Sequence, residues 1–225
     1  MCGRYTLFTD LTKLGDRFNF RSDSINYQKN YNVSPTQPVL TMIAMADEGK
    51  AEYMRWGLIP SWKNASTTHS GLINARSETI HNKVSFRHSL ARMRCLILAD
   101  GYYEWRQKGK SKIPMRIQLK NGEPFAFAGL WDKWRRPDGE KVFSCAILTK
   151  PSSTCLKTIH HRMPVILAKE DEQTWLHNDN DDIASYHQLV DRSEYTNFRF
   201  WEVSTLVNSS RNNRPECVSP LYKLT

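Results

Sequence analysis

Alternating and continuous apolar runs divide the chain into strands, with few segments of helical period. Gly3–Phe8 reads as a strand, and Thr9 or Asp10 then caps a short helix with Leu11, Leu14 and Phe18 on one face. Val39–Met45 and Glu52–Leu58 read as strands joined around Asp47-Glu48-Gly49. Ser61–Gly71 is polar except for Trp62 and reads as a loop, where binding chemistry tends to sit. Ser77–Ile80 and Phe86–Met93 fit helices, Cys95–Ala99 is a buried type of strand, and Tyr102–Arg106 continues extended. Ile113–Leu119 and Phe125–Trp131 flank Asn121-Gly122 as a hairpin would, and Asp138-Gly139 leads on to Val142–Leu148. Helices around Ser153–Thr158, Lys169–His177 and Asp182–Val190 precede a late strand, Phe200–Val207. The predicted class is α+β: a mostly antiparallel, barrel-like sheet with peripheral helices.

Composition narrows this picture. No Pro/Gly/Ser-rich linker or repeat divides the 225 residues, so one domain over 1–225 is expected. A hydrophobic content of 40% is that of a folded chain, and the sequence holds neither a membrane-length apolar stretch nor a signal-peptide core. The five cysteines form no CxxC pair, which argues against a disulfide framework or structural zinc and for the reducing cytoplasm. Neither a metal nor a cofactor is expected. The net charge of +9 is unevenly spread: residues 168–194 carry −6, leaving +15 on the remainder. A basic body with one acidic segment suits a polyanionic partner, nucleic acid by default.

The candidate chemistry begins at Cys2. Removal of Met1 would make Cys2 an N-terminal 1,2-aminothiol. Its α-amine would have a pKa of about 7.7–8.0, against about 10.4 for a lysine, so a useful fraction is free base at neutral pH. Such an amine attacks aldehydes to give a Schiff base, and the adjacent thiol can close a five-membered thiazolidine on the imine carbon. Three further segments combine small and reactive residues: Asn74 to Glu78, Asp100 to Trp105, and His160 to Pro164. Each also has a structural reading. Asn74 and Arg76 could cap a helix and pair with Glu78, Glu104 could be a surface carboxylate, and His160 a satisfied core histidine.

Taken in order, these segments resemble one family, the SOS-response-associated peptidases (SRAP). The resemblance rests on Cys2-Gly3-Arg4-Tyr5, Tyr31 to Pro35, Trp56 to Trp62, Asn74 to Thr79, Cys95 to Trp105, Gly129 to Asp132, and His160-x-Arg162-Met163-Pro164. It runs from residue 2 to about 167. Leu98 and the run Ser152-Ser153-Thr154 depart from the family pattern, the second close to His160. The resemblance implies a covalent trap for abasic sites in single-stranded DNA, with Met1 removed by self-cleavage. Cys2 would supply amine and thiol, Glu104 would shuttle protons, His160 would help open the sugar ring, and Asn74 would orient the sugar or Cys2. Arg4, Arg76 and Arg162 would clamp phosphates, and Trp56, Trp62 and Pro35 would stack or wedge bases. His161 competes for the histidine role. A monomer is expected, cytoplasmic and associated with the nucleoid on damaged DNA. The competing readings are a non-covalent single-strand binder and a thiol peptidase acting in trans. Recognition of modified cytosine, another label the family carries, has no support in these residues.

Overall fold

The structure is a computed structural model that describes residues 2–44, 49–64, 71–177, 183–192 and 197–221. Residues 47–48 and 65–70, parts of two expected loops, lie outside the described residues, as do 178–182 and 193–194 of the acidic segment.

The longest apolar runs close on one another. Strands β3 (Pro38–Ile43), β4 (Lys50–Trp56), β6 (Arg94–Ala99), β9 (Phe125–Arg135) and β10 (Lys141–Pro151) form a closed ring in the order β10-β4-β3-β6-β9, with β9 paired back to β10. All contacts in the ring are antiparallel except β4 with β10, which run parallel through Cys145 and Trp56. Cys95–Ala99 is buried at every position and faces Phe125–Gly129 across the ladder. A strand covered on both faces has no reason to alternate, which is why its sequence reads as a continuous apolar run. At Gly129 an added Cβ would lie 2.8 Å from Cys95 Sγ and 2.9 Å from the Ile97 side chain, so glycine is dictated by the close approach. Two short strands extend β10 beyond the ring: β5 (Asn74–Arg76) parallel to it and β11 (Arg162–Pro164) antiparallel.

A second, open sheet has the order β12-β8-β7-β1-β2, all antiparallel. Its strands are β1 (Tyr5–Leu7), β2 (Asn30–Val33), β7 (Gly101–Lys108), β8 (Ser111–Leu119) and β12 (Phe198–Glu202). Tyr5 joins the two sheets, its ring meeting Trp56 at 5.3 Å and Phe127 at 5.6 Å edge to face. Four helices flank the strands: α1 (Leu11–Phe18), α2 (Val84–Arg92), α3 (Glu172–His177) and α4 (Ile183–Arg192).

The α+β, barrel-like expectation therefore holds, with four local corrections, one being that the helix expected around Ser153–Thr158 is a 3-10 turn at Thr154–Leu156. Asn121-Gly122 does not close a hairpin: β8 belongs to the open sheet and β9 to the ring, so the turn is a crossover between them. Ser77–Thr79 is a turn leading into a 3-10 turn at Ile80–Asn82, not a helix. The late strand ends at Glu202, and Thr205–Asn208 is 3-10, started by the Ser204 hydroxyl accepting from the Leu206 amide.

Candidate active site

β1 begins at Tyr5, and the residues before it run between β5 and β7. The Tyr103 amide donates to the Arg4 carbonyl, and the Asn74 side-chain amide donates to the Cys2 carbonyl at 2.8 Å. Asn74 is itself fixed by the pairing of β5 with Ile147 on β10. Cys2 is fully buried, and burial with the nearby Glu104 charge pushes its thiol well above the usual range. A thiol in that state is a weak nucleophile, because the thiolate is the reactive form.

Glu104 comes from β7 and is 4% exposed; burial raises its carboxyl above the ordinary carboxylate range. That is the shift a proton-transfer group needs. His160 lies ahead of β11 with Nδ1 at 3.9 Å from Glu104 Oε1. The same Nδ1 lies 3.0 Å from the Arg162 amide nitrogen and 3.1 Å from the Arg162 carbonyl oxygen, so the backbone of Arg162 fixes the ring. Burial, and to a lesser degree the positive charge of Arg162, hold His160 below its usual pKa, which favours the neutral ring at pH 7. His161 stacks on it at 4.3 Å but stands exposed, leaving His160 as the ring against the carboxylate. Four residues far apart in sequence thus meet: Cys2, Asn74, Glu104 and His160.

Sequence reasoning missed Tyr102. It shares a face of β7 with Glu104, is fully buried, and burial together with Cys2 and Glu104 raises its phenol. Among the described residues its hydroxyl and Asn74 Oδ1 are buried without hydrogen-bond partners, an arrangement that costs free energy unless something fills it. The period-two alternation from Glu104 was the available signal.

The expected DNA-binding residues separate into distinct environments. Trp56 is a correction: it is fully buried, packs on Tyr5, and donates its indole N–H to the Ile73 carbonyl, so it cannot stack on a base. Its backbone does organise the neighbouring loop, accepting from the Thr36 amide at 2.7 Å and donating to the Gln37 carbonyl. Pro35 in that loop is partly exposed, and Trp62 is 62% exposed. Arg162 is engaged within the fold, paired to both Glu78 oxygens and donating to the Thr149 carbonyl at 2.6 Å. This also corrects the alternative in which Glu78 pairs with Arg76. Arg4 donates to Asn32 Oδ1 at 2.8 Å and the Val207 carbonyl at 2.7 Å. Arg76 is exposed with no ion pair among the described residues, so of the three arginines it alone presents a guanidinium to solvent unengaged.

Among the described residues no three His, Cys, Asp or Glu side chains are grouped to hold a metal, and no helix is long and apolar enough to cross a membrane. Several known proteins share this layout. The chain is 41% identical to the abasic site processing protein YoqW of Bacillus subtilis, covering 97% of this chain and 99% of that one. It is 36% identical to the abasic site processing protein HMCES of Xenopus tropicalis, over 88% of this chain and 68% of that one. A crystal structure of a Bacteroides thetaiotaomicron protein superposes with a TM-score of 0.85 at 27% identity, covering 98% of this chain and all of that one. One from Bordetella bronchiseptica gives 0.79 at 25%, covering 90% of this chain and all of that one. Residues 1–210 match the model of the SOS response associated peptidase (SRAP) family, and the chain belongs to that family.

Proposed function

We propose that the protein senses abasic sites in single-stranded DNA and traps them covalently through Cys2 once Met1 is removed. The observation that carries this is the convergence of Cys2, Asn74, Glu104 and His160 at one site, with Cys2 and Glu104 buried and Asn74 and His160 partly exposed. The names of the relatives, abasic site processing proteins, agree with it.

An abasic deoxyribose equilibrates with an open-chain aldehyde. His160 hydrogen-bonds the sugar ring oxygen and favours the open form. The free Cys2 amine adds to the aldehyde carbon, and Glu104 moves the protons that convert the carbinolamine to an imine with loss of water. The Cys2 thiol then adds to the imine carbon, its proton passing to the nitrogen, and closes the thiazolidine. A buried, protonated thiol suits this order, because the amine attacks first and the sulfur only afterwards. It disfavours a thiol peptidase acting in trans, which needs a thiolate at the outset. Removal of Met1 is assigned to the same site. Arg76 holds a flanking phosphate, while Trp62 and Pro35 contact bases beside the lesion.

Intact mass after incubation with an abasic oligonucleotide tests the reading. The adduct should equal protein without Met1 plus DNA less one water, and Cys2→Ala should lose it entirely. A wild-type yield of stable adduct from Cys2→Ala, without added reductant, would place the trap elsewhere.

A further inference from the structure

The strand that carries Glu104 does not stop at the site. β7 and β8 continue as a two-stranded arm, with Arg106 opposite Ile113, Gln107 opposite Lys112 and Lys108 opposite Ser111. Between residues 106 and 112 the arm holds Arg106, Lys108, Lys110 and Lys112 and no carboxylate. Residues 107–112 are all exposed. Gly109 turns the tip with φ +60°, and an added Cβ there would meet nothing within 4 Å, so the tip stands in solvent.

The second basic hairpin makes a useful contrast. β9 and β10 meet at a tip with Arg135, Arg136 and Lys141, but Asp138 and Glu140 are interleaved and Arg136 pairs with Glu140. On the β7–β8 arm only Arg106 meets an acid, Glu202, at 3.8 Å. Lys108, Lys110 and Lys112 have no ion pair among the described residues. Unneutralised lysines repel one another, and an anion laid along them relieves that repulsion. Position matters as much as charge. Lys112 stands opposite Gln107, three residues along β7 from Glu104, so the base of the arm adjoins the reactive residues. At about 3.3 Å per residue, the four strand steps from Glu104 to Lys108 span roughly 13 Å, enough to lie along a short run of DNA backbone.

We propose that the β7–β8 arm is a phosphate-backbone docking surface for the DNA on one side of the captured sugar. The proposal rests on the functional reading above, but its test does not need the trap to work. Each phosphate neutralised on a single strand releases about 0.7 counterion, so two lysines give a slope change of roughly 1.4. Binding of undamaged single-stranded DNA should be titrated at several salt concentrations for wild type and for the double variant Lys108→Ser with Lys110→Ser. The log–log salt slope should become shallower by about 1.4, similarly on every sequence, because phosphate contacts do not read bases. Arg136→Ala, on the neutralised hairpin, should leave the slope unchanged. Two oligonucleotides with the abasic site at opposite ends then test direction: the double variant should bind only one of them more weakly. Both lysines sit at an exposed tip, and a melting curve of the double variant should match wild type. A slope unaltered in the double variant, or an equal loss on both oligonucleotides, would overturn the arm while leaving any adduct measured by mass intact. Absence of the adduct with the slope change present would overturn the trap and keep the arm.

Discussion

The two sheets are built to different rules. In the ring, Cys95–Ala99, Phe125–Leu130 and Cys145–Leu148 face one another without a polar side chain, and the ring's buried charged residues, Arg94, Asp132 and Lys150, lie outside these runs. In the open sheet, Thr6, Asp100, Glu104, Arg116 and Gln118 are each less than a tenth exposed. Asp100 is fully engaged there, accepting from the Thr6 hydroxyl at 2.6 Å and from the Phe8 and Thr9 amides at 2.6 and 2.9 Å, with Arg116 at 3.7 Å. Burying charge is costly unless it is paired or changes protonation state. Asp100 takes the first course, whereas burial raises the Glu104 carboxyl above the ordinary carboxylate range. The ring contributes stability by burial, and the open sheet uses that stability to hold a carboxylate in a proton-accepting range.

The contrast is tested most strongly at Glu104. Glu104→Gln should slow adduct formation by about 10²–10⁴-fold while leaving affinity for intact single strands nearly unchanged. It should also raise the melting temperature at neutral pH. An acid whose pKa is raised in the folded state disfavours folding once pH rises through that raised value, and the penalty vanishes below its ordinary pKa. The stabilisation by Gln should therefore fade as pH falls below about 4.3. Thermal melts across pH, alongside capture rates, check both signs; equal loss of binding and capture would make Glu104 structural.

A cut in the ring should do the reverse. Leu130 is fully buried, and Leu130→Ala should cost about 2–5 kcal/mol by denaturant titration. Its capture rate, measured where the protein remains folded, should stay within a few-fold of wild type. The smallest effects separate two arginines in the same corner. Arg162→Ala leaves Glu78 and the Thr149 carbonyl without their donor and should destabilise by about 1–3 kcal/mol. Arg76→Ala should change stability by no more than about 0.5 kcal/mol, yet make the salt slope of DNA binding shallower by roughly 0.7. The opposite ranking would exchange their roles.

Much of this was legible from local pattern. Apolar runs such as Leu96–Ala99 announce strands covered on both faces, and the helical spacing of Leu14 and Phe18 places α1 where it is found. What failed was partner choice. Asn121-Gly122 is a sound turn sequence, but turn chemistry does not say which sheet the next strand joins. The family resemblance makes Trp56 a base-stacking candidate, although the expected strand Glu52–Leu58 contains it. Met54, two residues earlier and also buried, marked its inward face. The engagement of Arg162 by Glu78 spans 84 residues, and nothing local to either residue encodes it. At the site, the segments bearing Cys2, Asn74, Glu104 and His160 could be chosen individually, whereas the buried hydroxyl of Tyr102 became visible only through its neighbours.

The dispersed origin of the site has a consequence for synthesis. β1 has one neighbour, β2, within the first few dozen residues, but its other neighbour, β7, follows nearly a hundred residues later, and His160 later still. At about 5–20 residues per second, the ribosome needs on the order of ten seconds to extend the chain from Cys2 to His160. Throughout that interval the emerging N-terminus lacks the carboxylate and then the imidazole that would set its reactivity. A truncated product ending before β11 carries the cysteine without the completed proton relay. On the proposed reading, the complete set of site residues is assembled only after the chain has reached His160.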